Sequence, residues 1–380
     1  MSLKFFKELR ARDPFYEHGT ILSSMASKPL NIAVKAFSEF LDTNAGDLIL
    51  FKNIHRMERY VVRKLVKILG CINGRCSGYI VSGGSEANFL SLWLLRNYAL
   101  KNRRIRRPEI VASYASHYSI IKAANALGLK IVYSRLTKDY KTDPDDVAEK
   151  VSRNTIAIVA NVGSVELGTV DNIKEIAKVS LEHNIPIHVD AAFGGFILSI
   201  MENLKFKKFP GFTCNSVYTV TADPHKTLFT PIPSGGFFIK DHKFLKHIRF
   251  KAPYLPGKIT ETLIGTRSGG SIASIYAVLK FVGLKRLKKI YEKCYETAFY
   301  FYQKLLKIGK FKVYGTLETP IICFKPLTCS TDVLMKKLWK KGWIIYKCSI
   351  VNGLRLVFMP HVNKASVDRF LNDLVSLVEH

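Results

Sequence analysis

Between about Leu50 and Lys240, strand-length runs of β-branched and apolar residues alternate with helical patterns, and this alternation most restricts what the chain can become. The candidate strands are Glu109 to Tyr114, Lys130 to Tyr133, Thr155 to Val162, Pro186 to Asp190, Val217 to Thr221 and Gly236 to Ile239. Several are apolar throughout, without in-and-out alternation, which predicts burial on both faces of a sheet. An α/β domain built from βαβ units is expected over residues 51–255. Ahead of it, two short helical patterns flank a Gly/Ser/Pro-rich turn at Gly19 to Pro29 and read as an arm over residues 1–50. Beyond the connection Pro253 to Gly257, a long amphipathic helix pattern runs from Ser271 through Lys307 with a break near Gly283. Strands at Phe311 to Tyr314, Pro320 to Phe324, Trp343 to Tyr346 and Leu354 to Phe358, with helices at Thr331 to Lys341 and Lys364 to Val378, complete the chain. Residues 256–380 are thus expected to hold the connecting helix and a smaller α+β domain.

Composition removes several classes. With 380 residues, 48% of them apolar and 23% charged, the chain has enough core-forming material to exclude disorder, collagen and coiled coil. The longest apolar runs, Ile185 to Val189 and Phe193 to Ile200, are too short or too Gly-interrupted to cross a bilayer. The amino terminus MSLKFFKELRARDPF lacks an apolar h-region, so a cytoplasmic location without membrane partners is expected. Seven cysteines show no CxxC pair and no zinc spacing; they are expected to be reduced thiols, with no metal site. The net charge of +28 admits nucleic acid as a partner. However, the basic runs Lys101 to Arg107, Lys205 to Lys208, Lys285 to Lys289 and Lys336 to Lys341 are dispersed, which reads as solvated helix faces. A field this positive also draws in small anions.

Ligands of an open α/β sheet collect outside the carboxyl ends of its strands. Four groups occupy that position: His117 after the first candidate strand, the Gly163-Ser164 turn, Asp190 at the end of IPIHVD, and Asp223-Pro224-His225-Lys226 after VYTVTA. A base, a carboxylate, an amine and a glycine turn after successive strands point to one pocket. The segment Val81-Ser82-Gly83-Gly84-Ser85-Glu86-Ala87-Asn88 leads into an apolar helix. Gly83 and Gly84 let a ligand approach the backbone, Ser85 offers a hydroxyl or a cap, and the free N–H groups carry positive partial charge, so the segment reads as a phosphate cradle, with a plain Ser-capped helix start as the alternative. It is neither a Walker A loop nor a GxGxxG fingerprint, so no nucleotide is implied. Lys226 stands in apolar company that disfavours an ammonium and suits Schiff-base chemistry; the commoner fate of a lysine is to snorkel to the surface. Asp190, on an apolar strand, requires a cation or several N–H donors, and a protonated heterocyclic nitrogen would serve. Cradle, amine, buried carboxylate and aromatic stacker together describe a pyridoxal 5'-phosphate site.

The motifs SGGSEAN, SHYS, GSVELGTVDNI, HVDAAFGGF, DPHK, GTRSG and GLRLVFMPHV follow one another in the order and spacing of the group II pyridoxal-phosphate decarboxylases. The chain resembles their archaeal tyrosine/aspartate branch from SSMAS at Ser23 to the last helix, and HVDAA with DPHK at this separation is the specific part. The resemblance implies the fold-type-I architecture, a mostly parallel seven-stranded sheet flanked by helices with a smaller α+β carboxyl-terminal domain. It also implies a homodimer. Lys226 matches the Schiff-base lysine and Asp190 the partner of the pyridine nitrogen. His117 matches the histidine stacked on the ring, Ala192 the alanine on its other face, and Gly84 and Ser85 the phosphate-binding positions. Asp223 and His225 match the residues beside the lysine, and Arg355 an arginine that meets a substrate carboxylate. Arg267, in GTRSG, matches a motif near the phosphate or the subunit boundary, without an assigned contact.

Two features depart from the family pattern. Gly163-Ser164-Val165 stands where Gly-Thr-Thr is usual, keeping one hydroxyl at Ser164 and losing one. The region Leu255 to Ile264 is short and lacks the tyrosine that relatives use to reprotonate the α-carbon, leaving Tyr254 or His225 for that task. A carboxylate 4 Å from a protonated ring nitrogen at an effective dielectric near 20 contributes on the order of 4 kcal/mol. That is roughly a thousandfold in rate if lost from the transition state. The activity implied is α-decarboxylation of an L-amino acid, with L-aspartate preferred, giving β-alanine for coenzyme A synthesis, and L-tyrosine or L-glutamate as alternatives. A sphingosine-phosphate-type carbon–carbon lyase shares the fold. A nucleic-acid-binding protein with a degenerate cofactor site is the alternative of another class.

Overall fold

The computed structural model describes residues 3–201, 209–254 and 259–379. The basic run Lys205 to Lys208 and the first four residues of the Leu255 to Ile264 region lie outside them. The chain divides into two units: Pro29–Lys288, and Met1–Lys28 together with Lys289–His380. These boundaries differ from the expected 1–50, 51–255 and 256–380 at both ends. The arm is split between the units, and the large unit extends 33 residues further, from 255 to 288.

The large unit is organised on a seven-stranded sheet. Its strands are β1 (Ser77–Val81), β2 (Glu109–Ser113), β3 (Lys130–Ser134), β4 (Thr155–Asn161), β5 (Ile187–Asp190), β6 (Val217–Thr221) and β7 (Gly235–Ile239). They lie in the order β1-β7-β6-β5-β4-β2-β3. β7 runs antiparallel to both neighbours, and the other pairings are parallel. Each of the six expected strands is present to within a residue or two. β1 went unread because Ser77-Gly78-Tyr79-Ile80-Val81 is short, begins with a serine and a glycine, and runs straight into a glycine turn.

Helices α1 (Leu3–Arg10), α2 (Asn31–Glu39), α3 (Lys52–Ile68), α4 (Gly84–Asn102) and α5 (Tyr118–Ala126) come first in the chain. They are followed by α6 (Pro144–Lys150), α7 (Ile173–His183), α8 (Gly194–Ile200), α9 (Pro224–Thr227) and α10 (Gly269–Ala277). Sequence explains their starts: Asp143 accepts from the Asp145 N–H and Pro144 opens α6, while His117 accepts from the Ser119 N–H to open α5. α4 buries residues around its whole circumference, including Leu90, Leu92, Leu94 and Leu95, so it is a core helix and not an amphipathic one. Its apolar side chains pack with Ile110, Ile156, Val159, Phe237 and Ile239 of the sheet. That contact fixes the start of α4 at the carboxyl end of β1.

Arg267, left without a contact by sequence reasoning, is a structural anchor of this unit. Its guanidinium makes a two-point pair with Glu58 of α3, Nη1 to Oε1 and Nη2 to Oε2, the latter at 3.0 Å. It also donates to the carbonyls of Ile80 (3.0 Å) and Ala45 (3.2 Å), and Glu58 accepts the Ile80 N–H at 3.1 Å. Burial opposes the charge, but Glu58 more than offsets it and holds the guanidinium above its ordinary value. The pair therefore pins β1, whose next residues form the candidate cradle, to α3.

In the other unit, β10 (Phe311–Tyr314), β11 (Ile321–Pro326), β12 (Tyr346–Cys348) and β13 (Gly353–Val357) form an antiparallel sheet in the order β10-β11-β13-β12. In the large unit a two-stranded ribbon, β8 (Phe250–Lys251) and β9 (Ile259–Thr260), precedes these in the chain. The long helix pattern resolves into α10, a π-helical turn at Val278–Val282 and α11 (Gly283–Ile308), so Gly283 marks the break as expected. α12 (Thr331–Lys340) and α13 (Lys364–Glu379) cover the small sheet, whose core holds Phe301, Phe324, Trp343, Phe358 and Phe370. The expected strand at Trp343 to Tyr346 is displaced to Tyr346–Cys348. Ile344 instead exchanges backbone bonds with Thr20 and Leu22, which draws the first 28 residues into this unit.

The expectation of seven reduced thiols is corrected. Cys71 and Cys76 form a disulfide across the turn between α3 and β1, which reverses tightly enough to bring their Cα atoms within 6.2 Å. Cys214, Cys294, Cys323, Cys329 and Cys348 are free. Replacing Arg267 with alanine leaves Glu58 buried and unpaired, and is expected to destabilise the fold by about 3–5 kcal/mol. Urea unfolding measures this, and a change below about 1 kcal/mol would contradict the anchoring role.

Candidate active site

Parallel pairing aligns the carboxyl ends of three strands, so Asn161, Asp190 and Thr221 stand side by side at the ends of β4, β5 and β6. The chain leaving β6 places Asp223, His225 and Lys226 within five residues of Thr221, on the short helix α9 and its cap. Backbone bonds lock the two loops together: Ala191 N–H donates to Thr221 (2.9 Å) and Asp223 N–H to Ala192 (3.0 Å). The carboxylate and the amine singled out in the sequence are therefore presented from adjacent strands. His117, at the head of α5, feels the charges of Asp190, Lys226 and Asp223, so all four groups share one region.

Asp190 is 8% exposed. Its carboxylate accepts from Asn88 Nδ2 at 2.8 Å and from the Ala192 N–H at 3.1 Å, which meets the requirement for donors that its apolar strand imposes. Ala192 is half-buried, and its backbone thus serves Asp190 directly. Asn88 also bonds Ser119 and His188, and sequence reasoning missed it. Its signal was available: an asparagine on a helix otherwise buried all round must have partners.

The lysine's setting corrects the apolar one expected. Lys226 Nζ lies 3.1 Å from Asp223 Oδ2, an ion pair, and His225 Nε2 lies 3.8 Å from the same oxygen. The lysine contact is close without hydrogen-bond alignment, so both Asp223 oxygens remain without a hydrogen-bond partner among the described residues. The same holds for the buried Thr221 hydroxyl. His225 Nδ1 faces the Ser234 carbonyl, to which it donates, leaving Nε2 as its free nitrogen. Burial pulls the imidazoles of His225 and His117 below the ordinary histidine value, so both are neutral near pH 7.

The glycine segment adopts the expected form. Gly83 caps α4 in an extended conformation, and the first helix-type bond runs from Ala87 N–H to Gly83 at 3.1 Å, which leaves the preceding N–H groups free for an anion. Ser85 is exposed and available. Gly84 has no room for a side chain, since a Cβ would stand 2.7 Å from Asp223 Oδ2. Ser82 is tied back to Glu86 through its N–H (2.8 Å) and hydroxyl (2.7 Å). Ser164 behaves differently from expectation: it is buried, its hydroxyl meets Thr169 Oγ1 at 2.8 Å and accepts the Thr169 N–H at 3.1 Å, so it closes its own turn. Asp171 staples the end of β4 by accepting from the N–H groups of Asn161 (2.7 Å) and Thr142 (2.8 Å).

Of the remaining expected site residues, one borders a separate cavity and one belongs to the other unit. Tyr254 is 87% exposed and borders a cavity of about 430 Å³ with Asn44, Glu261 and Arg267, whose lining includes none of Lys226, Asp190 or His117. Arg355 belongs to the other unit, on β13, where its Nη2 donates to the Ser23 carbonyl at 2.7 Å.

The donor set suits pyridoxal phosphate: an anion cradle, an amine, an anionic carboxylate with its own donors, and buried polar atoms beside the amine that lack partners within the chain. The sheet and its strand order carry the same meaning. The architecture superposes on the sphingosine-1-phosphate lyase of Burkholderia pseudomallei with a TM-score of 0.91 at 24% identity, covering 99% of this chain and 90% of that one. It is that of fold-type-I pyridoxal-phosphate enzymes. Residues 42–326 match the pyridoxal-dependent decarboxylase conserved domain. The chain is 36% identical to the probable L-tyrosine/L-aspartate decarboxylase of Methanosphaera stadtmanae, over 97% of this chain and 94% of the relative. It is also 36% identical to the L-aspartate decarboxylase of Thermococcus kodakarensis, over 98% and 95%. The chain belongs to the pyridoxal-dependent decarboxylase family and is an amino-acid decarboxylase that uses pyridoxal 5'-phosphate. Among the described residues, no helix is long and apolar enough to cross a membrane.

Burial gives this region a defined acid sensitivity. His188, fully buried on β5, is pushed down to about 4 by desolvation, whereas in the unfolded chain it binds a proton near its ordinary value of about 6.5. The unfolded state therefore binds more protons between those values. Stability present above about pH 6.5 is lost as the pH falls toward 4, roughly 3 kcal/mol across the window. Urea midpoints at pH 7 and pH 5 should show this loss, and His188→Gln should flatten it. Equal slopes in the two proteins would contradict the assignment.

Proposed function

We propose that the protein removes the α-carboxylate of L-aspartate to give β-alanine, the amine used in coenzyme A synthesis, and that it works as a cytoplasmic homodimer. The observation that carries the reading is the presentation of Lys226 and Asp190 from the ends of neighbouring strands. The names of both relatives include aspartate, and the +28 charge favours an anionic substrate. L-tyrosine is the second reading, because the Methanosphaera relative is named for both amino acids.

In this reading Lys226 would hold the cofactor through its aldehyde carbon. Gly84, Ser85 and the free N–H groups of α4 would hold the phosphate. Asp190, supplied with two donors, would hold the ring nitrogen. His117 and Ala192 would be the residues that hold the ring. Pyridoxal phosphate, when bound, supplies the electron sink for the pair released with carbon dioxide. Asp223 holds the lysine through the 3.1 Å ion pair. His225 stands beside Lys226 and Asp223, whereas Tyr254 borders a cavity that excludes the other site residues; to return a proton to the α-carbon, the free Nε2 of His225 would first have to take one up. Arg355 is retained as the contact for a substrate carboxylate.

Carbon dioxide release from a panel of L-amino acids tests the substrate. L-aspartate is expected to be turned over fastest, and a clear preference for L-tyrosine would replace the first reading with the second. Asp190→Asn is expected to lower kcat roughly a thousandfold with less effect on cofactor binding. Lys226→Ala is expected to abolish the chromophore that borohydride traps. Wild-type turnover in either variant would refute the assignment of that residue.

A further inference from the structure

We propose that Asn88 is a positioning residue that sets the protonation pattern of the site, holding Asp190 as an anion and His188 as a neutral, Nε2-protonated imidazole. Asn88 is 1% exposed, on the helix that begins at the cradle. Its Nδ2 donates to Asp190 Oδ2 at 2.8 Å and to Ser119 Oγ at 2.9 Å, and its Oδ1 lies 3.0 Å from His188 Nε2. The orientation of the amide follows from its neighbours. Turned over, its carbonyl would face a carboxylate with no hydrogen between them, so Asp190 itself fixes which end is the donor.

Everything downstream is then determined by donor counting. Oδ1 can only accept, so His188 must carry its hydrogen on Nε2. Its Nδ1, 2.9 Å from Thr219 Oγ1, then accepts from that hydroxyl. Ser119, having accepted from Asn88, turns its own hydrogen to His117 Nδ1 at 2.8 Å, which leaves His117 protonated on Nε2. A single amide thereby orders the protons on the carboxylate, on the imidazole two residues before it, and on the imidazole of α5. Alanine at this position would leave Asp190 with the Ala192 N–H alone and His188 with an unpaired buried N–H. Aspartate would set two carboxylates against each other and offer His188 an anion, which favours its protonation.

The titratable and charged groups around Asp190 are His188 on its own strand, His117 on α5, and Asp223, His225 and Lys226 after β6. Asp171 also lies nearby, bonded to the neighbouring Asn161. None of these donates a hydrogen bond to Asp190 among the described residues, so Asn88 is its side-chain donor.

The inference rests on the proposed role of Asp190 only for its catalytic consequence. Its first test needs no cofactor: histidine-selective ¹⁵N NMR of the apoprotein. At pH 6, wild-type His188 should be neutral with its hydrogen on Nε2. In the near-isosteric Asn88→Asp variant it should be doubly protonated, its midpoint raised from about 4 by about two units or more. An unchanged His188 titration in Asn88→Asp would overturn the proposal. In the loaded enzyme, Asn88→Ala should lower kcat by about tenfold to a hundredfold with KM nearly constant, and raise the acid limb of the pH profile by about one unit. Wild-type kcat with an unmoved acid limb, while Asp190→Asn loses turnover, would equally overturn it. Wild-type turnover in Asp190→Asn, with the NMR change still present, would instead refute the cofactor assignment and leave the proton-setting role of Asn88 supported.

Discussion

A carboxylate at the end of an apolar strand can stay ionised only if donors meet it, and much of this protein is arranged to satisfy that demand at Asp190. The strand carrying it, Ile187–Asp190, is buried along its whole length, so its donors come from the protein. One donor comes from the loop that follows and one from Asn88, on a helix more than a hundred residues earlier in the chain. The second donor exists only because the start of that helix is held at the end of β1. That hold depends on the apolar packing of α4 against the sheet and on the Arg267–Glu58 pair that pins β1 to α3. Buried pairs of this kind add little net stability against an apolar replacement, but they fix register.

The sheet explains why chemistry gathers where it does. Parallel strands whose carboxyl ends lie side by side send their following loops to one edge, and Asn161, Asp190 and Thr221 are Cα partners there. The loops are then bonded to each other through backbone groups, so the side chains they carry have little freedom. Asp223 shows the economy of the arrangement. The same carboxylate pairs with Lys226, lies near His225, and closes over Gly84, whose missing Cβ makes the approach possible.

Much of this was legible in the chain. Strands such as Thr155–Asn161 announced themselves because a strand buried on both faces is apolar throughout, and the break at Gly283 appeared because glycine interrupts a helical pattern. Lys226 and Asp190 stand out as candidates in the chain because polar groups at the ends of apolar strands have few structural reasons to be there. Other features were not readable locally. Ser164 looks like any hydroxyl after a strand, and only its turn shows that Thr169 occupies it. The disulfide between Cys71 and Cys76 depends on how the chain reverses after α3, which spacing alone does not reveal. Lys226 lay in apolar company along the sequence, yet its partner Asp223 stands only three residues away, a distance that a single helical turn converts into contact.

The residues themselves thus determined the layered α/β class, the family and the polar groups that end neighbouring strands, because hydrophobic periodicity and a few polar side chains at strand ends are local properties. Tertiary structure alone decided which donors serve Asp190, that Arg267 anchors a strand, and that Arg355 belongs to a different unit. Hydrogen bonds and ion pairs join positions far apart in the chain, and no local pattern records which distant group will supply the missing partner.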